Sequence, residues 1–275
     1  MAAADEADWV FRDRHPERGE VYARMDALSE AARGAGNCIA GIPYGAHPRE
    51  AFDLFPSRSG TPLVVFIHGG YWQSLSRERF SFVAAPLQKA GFAVALPSYP
   101  LAPEQRLGDI VAAVDRAVDT IIAATIARGE RPAGWIASGH SAGGHLALLA
   151  ARRERAVPLM GIVAVSPICD IGPLRGTSLD AALSLSEADV AEFSPQRLAP
   201  PPAPVRLFVG EDETRGFRDQ AHAYAEKARN LGHDCDARVL PGLNHYTIPL
   251  EIERPLSLIL STFYELAAKP AGREG

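Results

Sequence analysis

Apolar residues along this chain alternate between short unbroken runs and longer stretches with helical spacing. Leu63-Val64-Val65-Phe66-Ile67 is apolar throughout and stops at His68-Gly69-Gly70. Runs of this kind suit strands buried on both faces, as in a parallel sheet. Further strands are predicted at Ala51 to Phe55, Phe92 to Leu96, Gly134 to Ser138, Gly161 to Val165, Val205 to Val209 and Ala237 to Leu240. Helical spacing is predicted over about 76–90, 107–128, 142–153, 218–231 and 249–267, and over an N-terminal segment of about 8–35 that ends at Gly34-Ala35-Gly36. Regular strand–helix alternation implies an α/β protein with a doubly wound, mostly parallel sheet. With no internal repeat and no long linker, residues 1–275 read as one domain.

The segment of about 167–204 breaks the rhythm. It contains Pro173, Pro195 and the run Pro200-Pro201-Pro202, with a short helix candidate at about 187–192. An excursion of this length is usually functional. It is expected to form a small cap above the C-terminal strand ends, where open α/β sheets bind ligands.

Composition narrows the function. Of 275 residues, 47% are hydrophobic, enough for a sizeable core, and the net charge of −5 argues against nucleic acid or an anionic membrane as partner. Cys38, Cys169 and Cys235 are scattered, which suits buried packing in a reducing compartment better than a disulfide framework or a metal site. The acidic N-terminus does not read as a signal peptide, and no apolar run approaches the roughly 20 residues of a membrane span. A cytoplasmic protein acting on a small molecule, without cofactor or metal, is expected, with a homodimer left open.

The chemistry is carried by Gly139-His140-Ser141-Ala142-Gly143, between a predicted strand and a predicted helix. A serine on so sharp a turn needs small residues two positions before and after it, and its hydroxyl then stands at a helix N-terminus. Ser141 is the expected nucleophile. The backbone N–H groups of Gly70, Tyr71 and Ala142 are the expected oxyanion donors. His68 is expected to brace that loop, and Trp72 and His140 to line the substrate pocket with Tyr71.

The base should follow the last strand, and His245 in Pro241-Gly242-Leu243-Asn244-His245-Tyr246 does so. The acid should follow Val205 to Val209, where Gly210-Glu211-Asp212-Glu213 offers three carboxylates. Loop spacing favours Glu213, with Asp212 as the alternative and Asp170 and Asp236 as weaker candidates. The chain order Ser, acid, His is that of the α/β-hydrolase fold.

The sequence resembles the kynurenine formamidase (arylformamidase) branch of the α/β-hydrolases. The likeness rests on His68-Gly69-Gly70-Tyr71-Trp72, on Gly139-His140-Ser141-Ala142-Gly143-Gly144-His145 and on Asn244-His245-Tyr246. Tyr44-Gly45, Asp53-Leu54-Phe55, Tyr99-Pro100-Leu101-Ala102-Pro103 and Asp170 with Pro173-Leu174 look similar too. In that branch the acid stands four residues before a Phe, which Phe217 places at Glu213, although an Asp is the commoner residue. The resemblance implies hydrolysis of an aryl formamide such as N-formylkynurenine, and relatives with these motifs are often esterases of short acyl chains.

Overall fold

The computed structural model describes residues 6–268. The polar tail from Lys269 to Gly275, expected to fray, lies outside the described residues. The strands are β1 (Ile39–Pro43), β2 (Ala51–Phe55), β3 (Leu63–Ile67), β4 (Ala93–Pro97), β5 (Trp135–His140), β6 (Leu159–Val165), β7 (Val205–Gly210) and β8 (Cys235–Leu240). The helices are α1 (Glu6–Trp9), α2 (Arg18–Gly34), α3 (Arg77–Phe80), α4 (Ala84–Lys89), α5 (Leu107–Ala127), α6 (Ala142–Ala150), α7 (Asp180–Leu183), α8 (Glu187–Phe193), α9 (Arg215–Asn230) and α10 (Leu258–Ala268).

The eight strands form one sheet in the order β1-β2-β4-β3-β5-β6-β7-β8. The pairs β1–β2 and β2–β4 are antiparallel, and every other neighbouring pair is parallel. The expected mostly parallel α/β-hydrolase sheet is therefore present. The central strands β3, β4 and β6 read as unbroken apolar runs because both faces are covered. Along β3, Leu63, Val65 and Ile67 belong to the apolar cluster that also takes in residues of α5, α6 and α9, while Val64 and Phe66 belong to the other cluster, with Phe80, Leu87 and Phe263.

Topology then opens a crevice. From β3 the chain crosses to β4 on one side, and from β4 it returns through α5 to β5 on the other side of β3. The connections that follow β3 and β5 run to opposite sides of the sheet order, and such a switch point is where ligands enter these sheets. Register pairs Ile67 with Gly139, so the loops that begin at His68 and Ser141 leave the sheet side by side.

Several elements differ from the periodicity. The helix expected over 76–90 is divided into α3, a 3-10 turn and α4, because Pro86 lacks the N–H a continuous helix would use and fits only a first turn. The helix expected over 249–267 becomes a 3-10 turn at Ile248–Glu253 followed by α10; Pro255 and the left-handed Leu256 (φ 61°) separate them. The N-terminal run is split at Pro16 into α1, a 3-10 turn at Arg12–Arg14 and α2. Asp53, wholly buried in β2, pins α2 to the sheet: it pairs with Arg33, and accepts from Arg77 Nε at 3.0 Å and the Gly41 N–H at 2.8 Å.

Candidate active site

Ser141 sits at the end of β5 with φ 57° and ψ −122°, a conformation that costs a non-glycine residue about 1–3 kcal/mol. The surroundings hold it there. Its N–H donates to the Val165 carbonyl at 2.9 Å, and a Cβ on Gly139 or Gly143 would collide with the backbone of Ile67. All nine residues of α6 are buried, so the helix that starts at Ala142 is locked beneath the sheet's end. Among the described residues the Ser141 hydroxyl has no hydrogen-bond partner; Ser141 and His245 line the same cavity.

The loop after β3 is strained in the same sense. Gly70, Tyr71 and Trp72 have φ of 110°, 51° and 57°. The Gly70 carbonyl accepts from the N–H groups of Gln73 and Ser74, and the Tyr71 hydroxyl donates to the Trp9 carbonyl at 2.7 Å. The N–H groups of Gly70, Tyr71 and Ala142 donate to no other residue among those described, as groups reserved for a ligand oxygen would. His68 is buried, stacked at 4.2 Å on Tyr99, and in contact through Nδ1 with the Gly69 carbonyl at 2.8 Å. Burial pushes its pKa down to about 3. Its Nδ1 contact is with the loop it was expected to brace.

Glu213 and His245 meet. His245 Nδ1 lies 2.8 Å from Glu213 Oε2, while Glu213 Oε1 accepts from the Ser166 hydroxyl at 2.5 Å and the Gly210 N–H at 2.7 Å. A carboxylate with three donors around it and no solvent exposure is fixed in place. Asp212, the alternative, is exposed. Asp170 is engaged with Gly172, Ser194 and Arg197, and Asp236 with Arg238. Phe217 and Phe11 pack on the His245 ring at 4.4 and 5.1 Å.

The cavity over Ser141 is small, about 40 Å³. His140 lines it, as do Gly70, Tyr71 and Tyr246. Trp72, expected in the pocket, does not: its positive φ turns the indole inward, where it is fully buried edge-on to His145 at 4.9 Å. The segment 167–204, expected as the cap, contributes no lining residue. Its chain is tied elsewhere, with the Phe193 carbonyl on His145 and the Leu179 carbonyl on Gln73. The N-terminal segment supplies that wall instead, through Phe11, Arg12, Tyr22 and Met25. Sequence reasoning missed these four and Ser166. The Tyr22–Met25 spacing was readable as one apolar face, but nothing local says what that face covers. Among the described residues no cluster of three or more His, Cys, Asp or Glu could hold a metal, and no helix is long and apolar enough to cross a membrane.

Residues 64–248 match a family model described as the alpha/beta hydrolase fold. Kynurenine formamidases of Danio rerio and Salmo salar are 28% and 29% identical to this chain, each alignment covering 83% of it and 82% of the relative. Among solved structures, a candidate thioesterase from a Silicibacter species superposes with a TM-score of 0.77 at 28% identity, over 94% of this chain and 96% of its own. Esterase B from Lactobacillus rhamnosis superposes with a TM-score of 0.72 at 18% identity, over 91% and 94% of the two chains.

Proposed function

Because this chain belongs to the α/β-hydrolase fold family and is a kynurenine formamidase-like hydrolase, we propose that it removes a small acyl group, a formyl group on an arylamine, through an acyl-enzyme on Ser141. His245 takes the Ser141 proton as the hydroxyl oxygen attacks the carbonyl carbon. Glu213 keeps the His245 proton on Nδ1, so that Nε2 is free to act as base, and stabilises the imidazolium that forms. The N–H groups of Gly70, Tyr71 and Ala142 receive the oxyanion. His245 then passes its proton to the departing amine nitrogen, the C–N bond breaks, and water repeats the sequence to release formate and restore Ser141.

The observation that carries this reading is that His245, held by Glu213, opens onto the same small cavity as the strained Ser141. The small cavity, about 40 Å³, is in keeping with a small acyl group. The names of the two fish relatives support the formamide. The 28%-identical candidate thioesterase favours a second reading, hydrolysis of an acyl thioester or ester with the same machinery. Comparing kcat/KM on N-formylkynurenine with that on p-nitrophenyl acetate and butyrate separates the two, with Ser141→Ala as control. A preference for butyrate overturns the formyl pocket, and near-normal turnover in Ser141→Ala overturns the mechanism. A cytoplasmic location and the absence of a cofactor belong to the same proposal.

A further inference from the structure

His245 itself makes two polar contacts. One is the side-chain contact of Nδ1 with Glu213 at 2.8 Å. The other is on the main chain: the His245 carbonyl lies 3.0 Å from Nε2 of His140, 105 residues earlier. A carbonyl only accepts, so His140 Nε2 carries the proton; Nδ1 is buried with no hydrogen-bond partner. The His140 ring lies 4.6 Å from the His245 ring and 6.0 Å from Phe80.

The Nδ1 contact and the packed Phe217 and Phe11 rings hold the imidazole but not the main chain that carries it. Fixing the carbonyl of the same residue sets its Cα, and with it the direction in which Nε2 points. His140 is suited to this because it directly precedes Ser141, so one residue ties the nucleophile's turn to the base's loop. We propose that His140 is a positioning residue: its Nε2–H tether to the His245 carbonyl holds the base where it can take the Ser141 proton. This goes beyond the pocket-lining role expected from sequence, and it rests on the reading of Ser141 and His245 as the reacting pair. Burial first, and the neighbouring His245 second, push the His140 pKa well below its ordinary value. The tether is thus uncharged and puts no like charge beside the imidazolium formed during turnover.

The test compares His140→Leu, which removes the donor, with His140→Gln, which keeps a donor on a side chain of similar reach. Wild type and Ser141→Ala are assayed alongside on N-formylkynurenine and p-nitrophenyl acetate. In His140→Leu, kcat should fall about tenfold to a hundredfold on both substrates with KM little changed, the loss expected of a base displaced by a fraction of an ångström. His140→Gln should recover most of it. The low-field proton NMR signal of the His245–Glu213 hydrogen bond should shift in the Leu variant and return in the Gln variant. Wild-type kcat in His140→Leu, or equal impairment of both variants with an unmoved signal, overturns the proposal. If His140→Leu does not fold, His140→Phe keeps a ring without the donor and makes the same comparison. An active Ser141→Ala control instead removes the reading beneath it.

Discussion

Replacing Glu213 by Gln changes one atom in a buried site and tests what the carboxylate does. In the wild-type chain Oε1 accepts from both Ser166 and Gly210, and Oε2 faces His245 Nδ1. The Gly210 N–H is fixed in the backbone, so the single oxygen of a Gln must take the Oε1 place. Its NH₂ group then faces His245 Nδ1, and two donors cannot share that line. His245 is driven to the tautomer with its proton on Nε2, which cannot accept from Ser141. Exchange of a triad acid for its amide elsewhere costs roughly 10⁴ in kcat, or about 5.4 kcal/mol of barrier. We expect Glu213→Gln to lose roughly 10³ to 10⁴ in kcat, read in steady-state assays on N-formylkynurenine against the Ser141→Ala baseline. Circular dichroism should show the fold intact. Asp212→Asn, at an exposed position, should lie within about twofold of wild type. Activity of Glu213→Gln within tenfold of wild type, or an equal loss in Asp212→Asn, would refute the reasoning.

Gly143→Ala should destabilise the protein by about 1–3 kcal/mol or more, because the new Cβ collides with the carbonyls of Ile67, the last residue of a central strand that cannot retreat, and of His68 just after it; an unchanged urea midpoint would contradict this. Acidification should destabilise it as well. Burial pushes the pKa of His68 down to about 3 and that of His145 to about 4, whereas unfolded histidine titrates near 6.5. The unfolded chain therefore binds more protons below about pH 6.5, and stability should fall as pH drops from there toward 4, by up to about 1.4 kcal/mol per pH unit for each ring. Urea midpoints at pH 7, 6 and 5 measure the slope, which His145→Gln should flatten.

How much was legible beforehand varies by residue for physical reasons. The bounds of β3 read directly as Leu63–Ile67, because a strand buried on both faces must be apolar at every position. Gly139 and Gly143 marked the elbow because backbone packs where a Cβ would stand. Chain order and loop position pointed to His245, and spacing favoured Glu213. The choice against Asp212 appeared only when the loop after β7 turned one carboxylate toward Ser166 and His245 and left the other exposed.

Other features had no local signal. Trp72 looks like a pocket aromatic until the left-handed backbone at 70–72 turns it into the core. Phe11 meets His245 across 234 positions of sequence, and the wall it forms replaces the one expected from 167–204. By itself the sequence determined the central sheet and the sharp turn at Ser141, and it singled out His245 as the candidate base, because each depends on local sterics, on chain order or on a periodicity that burial enforces. The tertiary structure decided which carboxylate meets His245, which segment closes the cavity, and that His140 reaches back to the His245 carbonyl. Those depend on where distant loops arrive, and the register of β3, β5, β7 and β8 sets that.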